Sequence, residues 1–223
     1  MKPGPKRSLS EDAIVGAALK LLGERGGDAM SMRSIASEVG VAPNALYTYF
    51  PDKAAVLRAV VDRLIGEQSL DVFTDRGVPW RRRVHEVALG LRTRLLDHPG
   101  ATRLLLGAPM DGPRALAFGE RLLDLLTEAG LSEEDAARAS YTLIVYLLGS
   151  IALEAAELDP TQPAPPEAER VAERRKGFDA VPAEAFPRTA ATASVMAAYI
   201  STDQYLWGLD RVLDGLTGRR GRS

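Results

Sequence analysis

The stretch "SMRSIASEVGVAPNALYTYFPDKAAVL", Ser31 to Leu57, constrains the fold of this chain more than any other. Two short apolar-periodic segments flank Gly40. Ser31 is placed to cap the first, whose Met32, Ile35, Ala36 and Val39 share one face. Gly40 is expected to end that helix in the left-handed conformation, where a Cβ would clash. Pro43 opens the second helix, because its missing N–H costs nothing in a first turn. That helix is expected to run to about Phe50. Asp52 then caps a longer helix with Val56, Leu57, Val60, Val61, Leu64 and Ile65 inward. Helix, glycine-containing turn, helix is the helix-turn-helix pattern.

The rest of the chain reads as helix too. Ser10 caps a first helix whose Ile14, Ala17, Ala18, Leu21 and Leu22 form a stripe, stopped at Gly26-Gly27. Further helices are expected near 80–97, 100–107, 113–129, 133–158, 187–201 and 203–217. No alternating Val/Ile/Thr-rich segment argues for a strand, so the fold class is all-α. Residues 159–186 belong to a stretch, Asp159 to Pro187, with six of the chain's 14 prolines. They are expected to form a long mobile loop, with at most a helical turn around Glu167 to Lys176. The most apolar stretch, Tyr141 to Leu158, is interrupted by Gly149, Ser150 and Glu154, and reads as a core or interface helix and not a membrane span.

Composition narrows the chemistry. The 223 residues contain no cysteine, which excludes thiol nucleophiles, Cys-ligated zinc and a disulfide scaffold, and fits a reducing cytoplasm. Met1 is followed by no apolar run, so no signal peptide is expected. The histidines are two, His85 and His98, and no metalloprotease, nucleophile-elbow, P-loop or dinucleotide-binding motif occurs. A helical enzyme therefore has little to work with. A helical adaptor that uses its helix-turn-helix for protein contacts is the other alternative to a DNA-binding regulator.

A B-DNA major groove admits one α-helix, whose N-terminal residues reach base edges. In "APNALYTYF", Leu46 and Phe50, at i and i+4, hold the helix to a core with Val41. Asn44, Ala45, Tyr47, Thr48 and Tyr49 are left toward the groove. Ser31 and Arg33 stand at the preceding helix's N-terminus, where N–H groups and a guanidinium suit a phosphate. Lys53 starts the next helix beside the same groove. The net charge is −2, and Arg33 and Lys53 are balanced by Glu38 and Asp52. Affinity must then draw on a basic arm with Lys6 and Arg7, of the kind that enters minor grooves, and on doubling by dimerisation.

These features, with "LSEDAIVGAALKLLGERG" before them, resemble the DNA-binding domain of the tetracycline-repressor (TetR) family of bacterial transcription regulators. The resemblance implies DNA roles for Arg33, Pro43, Asn44, Ala45, Tyr47, Thr48, Tyr49 and Lys53, with Tyr47 and Lys53 as phosphate grips. It implies a flexible arm at 1–9, a three-helix reading head at 10–55, a regulatory and dimerisation domain at 56–218, and a basic tail at 219–223. "LLDHPGATRLLLGAPMDGP", "LTEAGLSEEDAARASYTLIVYLLGSIALEAAE" and "YLWGLDRVLDGL" are similar to the regulatory domain of the tetracycline repressor's own subgroup. By that similarity the helices near 133–158 and 203–217 pair with their copies in a homodimer. The candidates there are Tyr146, Leu147, Ile151, Leu206, Leu209, Leu213 and Leu216.

An effector pocket is expected among the helices between 53 and 158. Candidate lining residues are Trp80, His85, Leu89, Leu105, Met110, Phe118, Tyr141 and Tyr146, which favour a largely apolar small molecule. The subgroup's magnesium-drug chelate needs histidines, and Ser69 and Leu105 stand at the corresponding positions. Glu154 matches the subgroup's acidic position, but one carboxylate does not hold a metal. No metal or cofactor is expected, and tetracycline is rejected as inducer.

Overall fold

The computed structural model describes residues 9–25, 30–66, 71–105, 107 and 109–218. Lys6, Arg7, Ser69 and the basic tail lie outside the described residues. The elements are α1 (Glu11–Arg25), α2 (Met32–Val39), α3 (Pro43–Leu46), α4 (Lys53–Gly66), α5 (Asp71–Thr74), α6 (Trp80–Leu96) and α7 (Pro99–Leu105). They continue with α8 (Pro113–Glu128), α9 (Glu133–Ala156), α10 (Glu167–Asp179), α11 (Pro187–Ala191), α12 (Ala193–Ala197) and α13 (Thr202–Thr217). No strand occurs among the described residues.

The head is built on local signals. Ser31 and Ser34 form a reciprocal capping box, each hydroxyl accepting from the other's backbone N–H. Gly40 takes φ 75°, and the N–H of Val41 returns to the Ala36 carbonyl to close α2. α3 is shorter than the sequence suggests. It ends at Leu46, and residues 47–49 continue as turns in which Tyr49 and Phe50 both donate to the Leu46 carbonyl. Leu46 and Phe50 are buried with Ile35, Ala36 and Met30. α1 carries its expected stripe inward and buries Val15 and Leu19 as well, because it packs against α2, α4 and α7 together.

α4 leaves the head and packs along α8, while α9 forms the spine of the larger unit against α6, α7, α8 and α13. Arg83 on α6 is 1% exposed and organises the α5–α6 connection. Its guanidinium donates to the carbonyls of Phe73 and Val78 and pairs with Glu128. Tyr146 stacks on Tyr205 and donates to its carbonyl, joining α9 to α13.

The segment 159–186 is not a structureless loop, since its middle thirteen residues form α10. None of them is buried. Charge and hydrogen bonds hold the helix instead. Arg92 donates to both oxygens of Glu154, at 2.8 Å each, and reaches Glu167 at 2.9 Å. Arg170 shares Glu154 at 2.7 Å, and Glu167 accepts from the backbone and hydroxyl of Thr202 at the start of α13. Arg174 pairs with Glu157 and donates to the carbonyls of Ala197 and Ile200.

Candidate nucleic-acid interface and effector cavity

The head presents one polar face whose side chains its core does not need. Ser31 and Arg33 are exposed at the start of α2, and Pro43, Asn44 and Thr48 are exposed on and after α3. Ala45 is half-buried, and Tyr47 is 53% exposed. The Ser31 hydroxyl is already engaged in the capping box. Lys53 is half-buried at the first turn of α4.

Tyr49 is placed differently from its neighbours. Its hydroxyl donates to the Leu9 carbonyl at 2.8 Å, which ties the end of the reader to the root of the N-terminal arm. Its hydroxyl proton is engaged within the chain, while its ring stays partly exposed on the same face. The two acids near the face are also compensated internally. Lys20 holds Glu38 at 2.6 Å, and this hydrogen bond, with the charge of Glu38 behind it, raises the lysine's pKa. Asp52 accepts from the Ala55 N–H and so faces the positive end of α4. The near-neutral count of residues 31–53 thus understates how favourable the face is to a polyanion. Ser34 and Leu9 help to shape this face, and residue types alone did not single them out. A Ser-x-x-Ser spacing signals the first, whereas Leu9 acts through a carbonyl that any residue would carry.

An apolar cavity of about 230 Å³, partly open to solvent, lies between α4, α6, α8 and α9. Its walls are Ile65, Leu91, Met110, Ala115, Leu116, Phe118, Gly119, Leu123, Ile144, Leu147 and Leu148, with Glu120 the charged residue at its margin. Met110 and Phe118 are the two sequence candidates that the fold brings here. Tyr141 is 71% exposed on the far side of α9, and Leu105 is buried in the core without reaching the cavity. His85 turns to Asp210 on α13, at 2.9 Å. Trp80 stacks under Arg81, Leu89 lies half-buried on α6, and Tyr146 is committed to Tyr205. Periodicity reports which side chains are apolar or inward, but a cavity is bounded by whichever neighbours fail to fill it.

The dimer candidates sort in the same way. Leu147, Ile151, Leu209 and Leu213 are buried inside the subunit's own core, and Tyr146, Leu206 and Leu216 are half-buried against it. The apolar side chains that α9 and α13 leave outside are Tyr141, Val145, Leu153 and Trp207.

Comparison with known proteins decides the family. Residues 14–60 match the tetR family of bacterial regulatory proteins, and residues 74–220 match the tetracyclin repressor-like C-terminal domain. The chain belongs to the TetR family. An HTH-type transcriptional regulator of Saccharopolyspora erythraea is 35% identical over 149 residues, which is 67% of this chain and 62% of that relative's length. The HTH-type transcriptional repressor DrrR1 of Streptomyces coeruleorubidus is 28% identical across 99% of this chain and 83% of its own. A possible TetR family regulator from Streptomyces coelicolor A3(2) superposes with a TM-score of 0.75 at 34% identity, covering 94% of this chain and 99% of that one. The TetR-family chain is thus a helix-turn-helix transcriptional regulator, with the reading head at its N-terminal end and a helical regulatory domain behind it.

Proposed function

We propose that this regulator is a repressor that binds a palindromic operator as a homodimer and is released by a small apolar effector. The carrying observation is the exposed face of Arg33, Asn44, Tyr47 and Thr48 on a head whose core is complete without them. Such a face has the hydrogen-bonding groups and the dimensions for a major groove. Repression is supported by the likeness to DrrR1, whose name states that role.

The effector site is the 230 Å³ cavity, which lies below the usual range for drug-sized ligands and suits a compact molecule fixed by one or two polar contacts. A magnesium-drug chelate does not fit this chain. Leu105 offers no donor and lies off the cavity, and both oxygens of Glu154 are spent on Arg92 and Arg170. Release follows from linkage: an effector that prefers the arrangement unsuited to DNA lowers DNA affinity by its own preference.

Selection from a random duplex pool, followed by footprinting on the enriched sequence, tests the reading. A protected site with two-fold symmetry is expected. Failure to enrich any sequence overturns it.

A further inference from the structure

We propose that Asp62 is the joint through which occupancy of the cavity reaches the reading head. This rests on reading the chain as an effector-released DNA binder. α8 begins without a cap of its own: Gly112 at its N-cap has no side chain, and Pro113 follows as its first residue. Proline has no N–H, so the first donors that need partners belong to Arg114 and Ala115. Both donate to a single oxygen, Oδ1 of Asp62, at 2.9 Å each. Asp62 belongs to α4, so one helix is capped by the carboxylate of another. The charge also faces the positive end of the α8 dipole.

Gly112 answers to this carboxylate. Its backbone, at φ −73° and ψ 158°, is open to any residue, yet a Cβ there would lie 2.2 Å from Oδ1 of Asp62. The missing side chain makes room for the cap that crosses from α4. The same seam is tight one turn later, where a Cβ on Gly66 would meet the side chain of Arg114 at 2.2 Å.

The location gives the contact its consequence. Ile65, three residues beyond Asp62, and Ala115, whose N–H it holds, both line the apolar cavity. α4 also packs on α1 of the head, where Arg63, the residue after Asp62, donates to the Asp12 carbonyl. A molecule in the cavity sits against Ile65 of α4 and Ala115 of α8 and so bears on the seam between the two helices, which these two hydrogen bonds cross. α8 then either keeps its cap and pulls on α4, or loses the cap and releases it.

The double variant Asp62→Ala with Gly112→Ser separates a joint from a mere helix cap. Serine gives α8 a cap of its own, in the space that the carboxylate leaves. Amide exchange at Arg114 and Ala115 is measured in the full chain, free and bound to a duplex selected by the wild-type protein. Coupling free energies are reciprocal, so DNA is expected to slow exchange at these two amides by about 5-fold or more in the wild type. DNA leaves them unchanged in the double variant. Unchanged exchange in the wild type, or equal slowing in both proteins, overturns the joint. If the wild-type protein enriches no duplex, the regulator reading itself fails, and the joint with it.

Discussion

Tyr47 and Tyr49 stand two residues apart and are placed differently. Tyr47 is 53% exposed on the reader, whereas Tyr49 gives its hydroxyl to the Leu9 carbonyl. Tyr47→Ala is expected to weaken operator binding by about 1–3 kcal/mol with no change in melting temperature. Tyr49→Phe keeps the ring and frees the arm's root, at a local cost of about 1 kcal/mol. Its expected mark is a shallower salt dependence, because the phosphate contacts proposed for Lys6 and Arg7 lose their anchor at Leu9. Titration at several salt concentrations reads both, and an equal change of slope in the two variants would place both tyrosines in the same role. The inward turn of Leu46 and Phe50 was legible in the sequence as an i, i+4 pair, and although α3 ends at Leu46, the bond from the Phe50 N–H to the Leu46 carbonyl keeps the turn close enough to helical to bury both. The bond from Tyr49 was not, because its acceptor lies 40 residues away on a backbone carbonyl. His85 is the same case, with Asp210 a further 125 residues along the chain.

Among the elements, α10 was the hardest to read and α9 the easiest. Helices such as α8 and α9 announce themselves by an apolar stripe, a Ser or Gly at the N-cap and a stop at the other end. α10 has no buried face, so its thirteen residues carry no stripe, and the prolines on either side look like loop. What orders it is a set of partners drawn from α6, α9, α12 and α13, which no local pattern encodes. Such a helix should respond to pH. Burial works to raise the Glu167 carboxyl, but the hydrogen bonds from Thr202 and the charge of Arg92 outweigh it, and its pKa lies below the ordinary 4.5. A depressed carboxylate contributes stability that is complete above its unfolded value and is lost as pH falls through the folded one. α10 is therefore expected to stay docked at neutral pH and to open, ahead of the core, as pH falls below the ordinary carboxylate range. Amide exchange across residues 167–179 follows this directly. Glu167→Gln should already exchange faster at neutral pH and gain little more in acid. Protection that persists in the variant would mean that α10 is held by something other than this carboxylate.

At the scale of the whole molecule, α9 is more apolar than its own subunit requires. An 18-residue window of it has a mean hydropathy of 1.5, yet 39% of that window is buried. One side faces α6, α7, α8 and α13, and the other carries Tyr141, Val145 and Leu153, spaced around Gly149, whose Cβ position is open. The apolar excess was legible in the sequence, but its division was not. Leu147 and Ile151 belong inward, and the residues left outside are their neighbours on the helix. A surface stripe with a glycine at its centre allows close approach of a second helix, and a two-fold partner brings the same stripe. Leu153 is 67% exposed, so Leu153→Asp should leave the subunit fold intact and make dimer formation bring two carboxylates together at an apolar seam. Sedimentation is expected to show a dimer for the wild type and a monomer for the variant, with unchanged helical circular dichroism. DNA binding should report the same event, since a lone head makes half the phosphate contacts. The slope of log affinity against log salt then falls to about half its wild-type value. A wild-type chain that sediments as a monomer at concentrations where it binds DNA would remove the two-fold operator from the proposed function, and each head would read its site alone.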